Sequence, residues 1–198
     1  MIHFFRKNDL TQPTFLLLHG TGGNEHDLVP LAQIIEPTYN ILSVRGDVSE
    51  RGMNRFFRRL SEGIFDEPDL IVRTQQLKSF IDQASIDYGF DRSKVIALGY
   101  SNGANIAASL LFHYKDALDK AILFHPVVPL HKALPDLHQV SAFISAGKRD
   151  PLCDSSISQE LADLLTEAHA KVNLHWENGG HNLTEAEVMA AKTWLKSL

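Results

Sequence analysis

Apolar residues recur along this chain in two alternating patterns. One is a short unbroken run of strand-forming residues, and the other is the three-to-four spacing of an amphipathic helix. Thr14-Phe-Leu-Leu-Leu-His19 is a continuous apolar run ended by Gly20, as in a strand buried on both faces. His3-Phe4-Phe5 reads as a short edge strand, Leu28 to Ile35 as a short helix closed by Pro37, and Asn40 to Val44 as a second buried strand. Asp69 to Tyr88 carries Leu70, Leu77, Phe80, Ile81 and Ala84 at helical spacing. Lys94 to Tyr100 is the third buried strand and turns through Gly99-Tyr-Ser-Asn-Gly103 into a helix running to Phe112. The pattern then repeats: strand Lys120 to His125, Pro-rich loop Pro126 to Pro135, strand Val140 to Ala146, helix Ser156 to His169, strand Lys171 to Glu177, helix Thr184 to Leu198. Ser156 with Gln159, and Thr184 with Glu187, have the spacing of capping boxes. Strands alternating with helices predict right-handed βαβ units and a mostly parallel sheet with helices on both faces. No repeat, low-complexity tract or linker divides the chain, so residues 1–198 are expected to form one α/β domain.

Composition removes several function classes. A formal net charge of -5 with no basic stripe argues against nucleic acid as a partner. No apolar run approaches the ~18 residues of a membrane span, and Met1 to Asp9 lacks the apolar core of a signal peptide. The one cysteine, Cys153, cannot close an intrachain disulfide. A cytoplasmic location is expected.

In a parallel α/β sheet, ligands bind beyond the carboxyl ends of the strands. The residues just past those ends are Gly20-Thr-Gly-Gly23, Ser101, Gly147-Lys-Arg-Asp150 and Gly179-Gly-His181. A nucleophile, a carboxylate and an imidazole thus occur in the order Ser, Asp, His, the order of an α/β-hydrolase triad. Serine is a weak nucleophile until a base takes its proton. Imidazole can do so near neutral pH, and an aspartate on the far ring nitrogen fixes the tautomer. Ser101, His181 and Asp150 are the candidates, with Asp154 as the rival carboxylate. The oxyanion donors are expected to be the backbone N–H of Asn102, at a helix start, and that of Thr21, with Gly22 as the alternative.

Each residue also has a plainer reading. Ser101 could be a turn serine, and Cys153 a small buried hydrophobe. His19 is expected to order the glycine loop, and His26, His125, His131 and His138 to lie on surfaces or loops. The glycine loop lacks the Gly-Lys-Ser/Thr ending of a phosphate loop, and no His-Glu-x-x-His or Cys/His cluster suggests a metal. The insertion Arg45 to Asp69 has two readings. It could be an aromatic rim (Phe56, Phe57) with guanidiniums such as Arg55 that favour a carboxylate-bearing substrate. Alternatively it is a short helix whose five arginines pair with six local acids. It is too short for a separate cap domain, so an open site is expected.

Leu18-His-Gly-Thr-Gly-Gly23, Gly99-Tyr-Ser-Asn-Gly103, Gly147-Lys-Arg-Asp150-Pro and Gly179-Gly-His181 together resemble the small carboxylesterase/phospholipase branch of the α/β-hydrolase fold, which includes acyl-protein-thioesterase-like enzymes. The resemblance runs from about Thr14 to Leu198. It implies a Ser-His-Asp esterase with no cofactor, a minimal lid, and Ser101, Asp150 and His181 as the triad. Thr21 stands where the thioesterases usually have an apolar residue, which leaves a backbone donor intact but changes the pocket wall. Arg55-Phe-Phe-Arg-Arg59 with Glu62-Gly-Ile-Phe65 is closer to a bacterial subgroup of hydrolases, some linked to quinone or metal stress. The expected reaction is hydrolysis of small to medium carboxylic esters or thioesters by a monomer or homodimer. Cleavage of a lactone, C–C bond or lysophospholipid on the same triad, or a non-catalytic binding role, are the alternatives.

Overall fold

Burial decides which runs become the sheet. The computed structural model describes residues 1–198. In chain order its elements are β1 (His3–Arg6), β2 (Thr14–Leu18), α1 (Val29–Ile35), β3 (Asn40–Val44), β4 (Val48–Glu50), β5 (Met53–Arg55), β6 (Arg59–Ser61), β7 (Ile64–Phe65), α2 (Glu67–Tyr88), β8 (Val95–Tyr100), α3 (Asn102–His113), β9 (Lys120–Phe124), β10 (Ser141–Gly147), α4 (Ser155–Glu167), β11 (Lys171–Glu177) and α5 (Glu185–Lys196). The seven apolar runs form one sheet in the order β1-β3-β2-β8-β9-β10-β11. Only the edge strand β1 runs antiparallel, pairing His3 with Val44; every other neighbour is parallel. All the parallel strands therefore end on one edge.

Side chains alternate across a strand, so each run feeds two cores. Leu16 and Leu18 of β2 join Leu70, Leu77 and Ile81 of α2, Ile106 and Leu110 of α3, and Leu161 and Leu165 of α4. Phe15 and Leu17 face the other way, onto Ala32 and Ile35 of α1 and Val188, Ala191 and Leu195 of α5. The unbroken hydrophobicity of β2 and β8 is what a two-faced strand requires.

Helix ends obey their caps. Asp66 caps α2 through the Asp69 N–H at 3.2 Å, and Gly89, at φ +74°, terminates it. The expected box at Thr184 and Glu187 forms, with Glu187 N–H on Thr184 Oγ1 (3.3 Å) and Thr184 N–H on Glu187 Oε2 (2.8 Å). The one expected at Ser156 and Gln159 does not. Asp154 caps α4 instead, accepting from the Ser156 N–H (2.9 Å) and hydroxyl (2.7 Å), and Gln159 reaches Asp163. A carboxylate at the N-cap outcompetes a serine two residues later.

The Arg45 to Asp69 insertion forms no helix of its own before α2 begins at Glu67. It folds as two hairpins, β4 with β5 and β6 with β7. Arg51 and Gly52 both have positive φ (51° and 83°) between the paired Glu50 and Met53, the geometry that a tight two-residue hairpin turn needs. Gly46 has no room for a side chain against the Arg55 carbonyl, which presses the first hairpin onto the end of β3.

Candidate active site

The turn after β8 is as strained as the sequence suggests. Ser101 has φ +52° and ψ −115°, a region costing a non-glycine residue about 1–3 kcal/mol. Neighbouring elements hold it there: its N–H donates to the Phe124 carbonyl (2.9 Å), and its carbonyl accepts the Asn105 N–H (2.9 Å). A Cβ on Gly99 would lie 2.7 Å from Ala104 N, and one on Gly103 would collide with the Leu18 carbonyl. Both glycines are therefore required by packing, and the serine side chain is left to project beyond the strand ends.

His181 and Asp150 come to it from loops after β11 and β10. His181 Nε2 lies 2.9 Å from Ser101 Oγ, and its Nδ1 lies 2.7 Å from Asp150 Oδ2. The second carboxylate oxygen, Oδ1, accepts the N–H groups of Leu152 (2.8 Å) and Cys153 (3.1 Å), so the carboxylate cannot rotate freely. The Tyr100 hydroxyl donates to the His181 carbonyl at 2.7 Å, steadying the loop that carries the imidazole. Burial, then the charges of Asp150 and Glu187, raise the Tyr100 phenol above its ordinary value, so it remains a neutral donor. The rival Asp154 is occupied in capping α4.

The glycine loop is braced by the first hairpin. Gly22 N–H is already spent on the Asn54 carbonyl (2.8 Å), which leaves Thr21 N–H without an acceptor in the protein, while Asn54 Nδ2 holds the Gly23 carbonyl (2.8 Å). Asn102 N–H opens α3 and has no intrahelical partner, as for any first-turn donor. Its side chain ties hairpin to helix, Oδ1 accepting the Phe56 N–H at 2.8 Å. His19 does what was expected of it. Gly46 N–H donates to Nε2 (3.0 Å), which makes Nδ1–H the donor to the Gly20 carbonyl (2.6 Å). Burial lowers its proton affinity, in keeping with a neutral ring.

These elements surround a cavity of about 730 Å³ containing Thr21, Ser101, Asn102 and His181, a size suited to a small organic ligand. Hairpin residues Met53, Arg55 and Arg59, with Val127 to His131 and Leu152, form its walls. Phe56 and Phe57, expected on the rim, do not reach it. Phe56 is buried against His19 and Phe57 against Phe65, because the hairpin turns both rings toward the core. Gly22 does not line it either. Arg55 does, with a side chain only 4% exposed. Three of the insertion's five arginines pair with its own acids as the plainer reading expected, Arg55 and Arg59 with Glu50 and Arg58 with Asp66, whereas Arg45 pairs with Glu25, outside the insertion. Cys153 is buried and borders the cavity, its thiol pushed up to about 11 by burial and so uncharged.

One loop histidine is buried more deeply than the sequence suggests. His125, expected on a surface or loop, is fully buried beside Asp150, with Nδ1 3.3 Å from Oδ2. Its other side faces Glu187, also fully buried. His125 comes directly after a parallel strand on the same edge as Ser101 and Asp150, so the strand-end rule could have found it. His125, Asp150 and His181 converge closely enough to suggest a metal. However, 2.7 Å between His181 and Asp150 is a hydrogen-bond spacing. It is too short for two ligands on one ion with bonds of ~2.0–2.1 Å.

Burial pushes the Glu187 carboxyl up, but contacts from His125, Ser145 and Thr184 outweigh it and hold it at about 2, against 4.5 for a free side chain. Above about pH 4.5 folded and unfolded chains both carry the ionised group and its stabilisation is complete. As pH falls from there toward 2 the unfolded chain takes up the proton first and that stabilisation is lost, on the order of 3 kcal/mol. Acid unfolding monitored by circular dichroism should therefore be steeper over this window in the wild type than in Glu187→Gln. Identical pH dependence would contradict the assignment.

A serine on a strained strand-to-helix turn, with parallel strands delivering a histidine and an aspartate to the same edge, defines the α/β-hydrolase class. The phospholipase/carboxylesterase family model matches residues 4–198. MhqD of Bacillus subtilis, named as a hydrolase, is 54% identical over 197 residues, 99% of this chain and 98% of that one. The crystal structure of the Bacillus cereus carboxylesterase superposes with a TM-score of 0.97 at 57% identity, covering 98% of this chain and 93% of that chain. A structure of YahD with malic acid gives 0.92 at 32% identity, covering 99% and 98%. The chain belongs to the phospholipase/carboxylesterase family.

Proposed function

We propose that this protein hydrolyses small to medium carboxylic esters or thioesters through an acyl-enzyme on Ser101. The observation that carries this reading is the unbroken hydrogen-bonded line Ser101 Oγ, His181, Asp150. Ser101 Oγ attacks the acyl carbon as its proton passes to His181 Nε2, and Asp150 holds the Nδ1–H tautomer and stabilises the imidazolium. The free N–H groups of Thr21 and Asn102 receive the oxyanion. His181 then protonates the departing alcohol or thiol, and water, deprotonated in turn by His181, releases the acid.

Arg55 supplies the substrate preference. Burial and the neighbouring Arg59 weaken its hold on the proton, and Glu50 opposes them. Glu50 is shared by both guanidiniums, so one positive charge on this wall is unmatched. Arg55 Nε donates to the Phe57 carbonyl (3.2 Å) and Nη1 to Thr21 Oγ1 (2.7 Å), leaving Nη2 without a partner. Glu62, Glu67 and Glu160 border the cavity but are exposed, where water and salt screen them. A substrate carrying a second carboxylate fits this wall, and the malic acid in the YahD structure, a small dicarboxylic acid, is in keeping with it.

Turnover of a chain-length series of esters and thioesters, with product analysis and fluorophosphonate labelling, tests the reaction. Folded protein that neither labels nor turns over any of them would sink it. For the preference, Arg55→Gln should lower the ratio of kcat/KM for a carboxylate-bearing ester to that for its neutral isostere by about tenfold or more. An unchanged ratio removes Arg55 from substrate recognition, whatever happens to the absolute rates.

A further inference from the structure

Ester cleavage by Ser101, His181 and Asp150 leaves His125 and Glu187 unused. They continue the same line inward. His125 sits just past β9 with φ +52°, the same left-handed strain as Ser101 on the adjacent strand, and its N–H is pinned to the Ser145 carbonyl at 2.8 Å. A histidine is held in this unfavourable conformation with a side chain that is completely buried. Its two ring nitrogens face two different carboxylates. Nδ1 is 3.3 Å from Asp150 Oδ2, and Nε2 is 2.9 Å from Glu187 Oε1, at ion-pair distance though out of line for a directed hydrogen bond.

Chemistry narrows the form this ring takes. A neutral imidazole has one N–H and one lone pair, whereas an imidazolium donates from both nitrogens. Both neighbours here are acceptors. Glu187 is ionised, its Oε2 accepting from Thr184 N–H (2.8 Å) and Thr184 Oγ1 (2.9 Å) and its Oε1 from the Ser145 hydroxyl. Asp150 already accepts from His181 and two backbone N–H groups. With a neutral ring, a lone pair would point at a carboxylate, and two buried anions would have no cation between them. The other groups packed around the ring cannot supply one. Tyr100, 5.9 Å away, is a neutral phenol, and Cys153, in the loop with Asp150, is a neutral thiol. His181, 5.2 Å away, must be neutral at rest to act as a base.

We propose that His125 is a resident imidazolium clamped between Asp150 and Glu187, a fixed internal cation that moderates the pull of Asp150 on His181 and thereby keeps His181 a working base at lower pH. His125 acts through Asp150 and is a positioning residue; Glu187 is its counter-ion. The inference rests on the triad reading for its kinetic consequence but not for the charge itself. Without the cation, Asp150 stabilises protonated His181 more strongly. The acid limb of kcat/KM then moves to higher pH.

Two measurements test this on the full chain. In the wild type with nitrogen-15-labelled histidine, the His125 ring, assigned by its loss in His125→Asn, should show both nitrogens protonated at pH 7.5, where exposed histidines are largely neutral. In Glu187→Gln, loss of the second proton should move to lower pH. An unprotonated His125 nitrogen in the wild type at pH 7.5 overturns the proposal. In kinetics, the acid limb of His125→Asn should shift upward by about one pH unit, while Ser101 still labels with fluorophosphonate at pH 8.5. Glu187→Asp should keep the wild-type limb. A rate loss uniform across pH, with no shift of the limb, would mean His125 only packs, and would also overturn it. If His125→Asn does not fold, the wild-type nitrogen spectrum decides. Failure of the wild type itself to label would overturn the triad reading and leave that spectrum to decide the cation.

Discussion

Ser101→Ala should lower kcat/KM for any ester substrate by about 10⁴- to 10⁶-fold and abolish fluorophosphonate labelling, with little change in stability. The Ser101 hydroxyl bonds only to His181, so removing it strands no buried donor. The backbone strain remains, because alanine tolerates φ +52° no better than serine does. Ser101→Gly separates the two effects. It should be equally inactive yet more stable, by about 1 kcal/mol, since glycine adopts positive φ freely. Urea melts of the three proteins with single-turnover kinetics give both readings. Labelling that persists in Ser101→Ala places the nucleophile elsewhere. A Gly variant no more stable than the Ala variant means the turn is relaxed, and the strain argument for an imposed nucleophile fails.

That strain could be read from five letters because sterics leave few alternatives. Gly99 and Gly103 flank Ser101 because a Cβ at either would strike backbone, at Ala104 and at Leu18 respectively. The strands were equally legible, since a segment covered on both faces has no polar position to blur its ends. Asp150 and His181 could be placed from topology: parallel strands all finish on one edge, so the few residues just past each strand end contain the site. His125 meets the same condition, yet its burial was not legible. A histidine beside a proline-rich loop reads as surface, and what buries it is Glu187, distant in sequence and already accounted for by the α5 cap. A side chain serving two partners shows only one of them to local reasoning.

The insertion was opaque for a different reason. Its strands are two or three residues long, too short for a period-two pattern to be told from chance. The register is set by a turn whose first residue is Arg51, a poor marker for positive φ. Charge counting correctly anticipated most of the ion pairs while missing the fold that makes them. Phe56 and Phe57 look like a pocket rim in sequence, yet Asn102 draws the Phe56 backbone against α3 and turns both rings inward. Arg55, between them and Met53, is left as the side chain facing Thr21.

Asp150→Asn is the sharper test of the acid, because its geometry leaves the new amide little choice. Leu152 and Cys153 N–H groups both point at Oδ1, so the amide oxygen of asparagine must take that place. Its NH₂ then occupies the Oδ2 position, 2.7 Å from His181 Nδ1 and 3.3 Å from His125 Nδ1. A donor opposite His181 Nδ1 demands a lone pair there, which places the ring proton on Nε2, against Ser101 Oγ. The imidazole can no longer accept the serine proton. With Ser101 and the oxyanion donors untouched, kcat/KM at neutral pH should fall by about 10⁴-fold while the fold is retained. Asp154→Ala provides the contrast. It removes only the α4 cap, so it should cost about 1 kcal/mol in a urea melt and leave the rate within a few-fold. Were the two variants to exchange effects, the orienting carboxylate would be Asp154. An Asp150→Asn enzyme within tenfold of the wild type would mean that His181 needs no orienting acid at all.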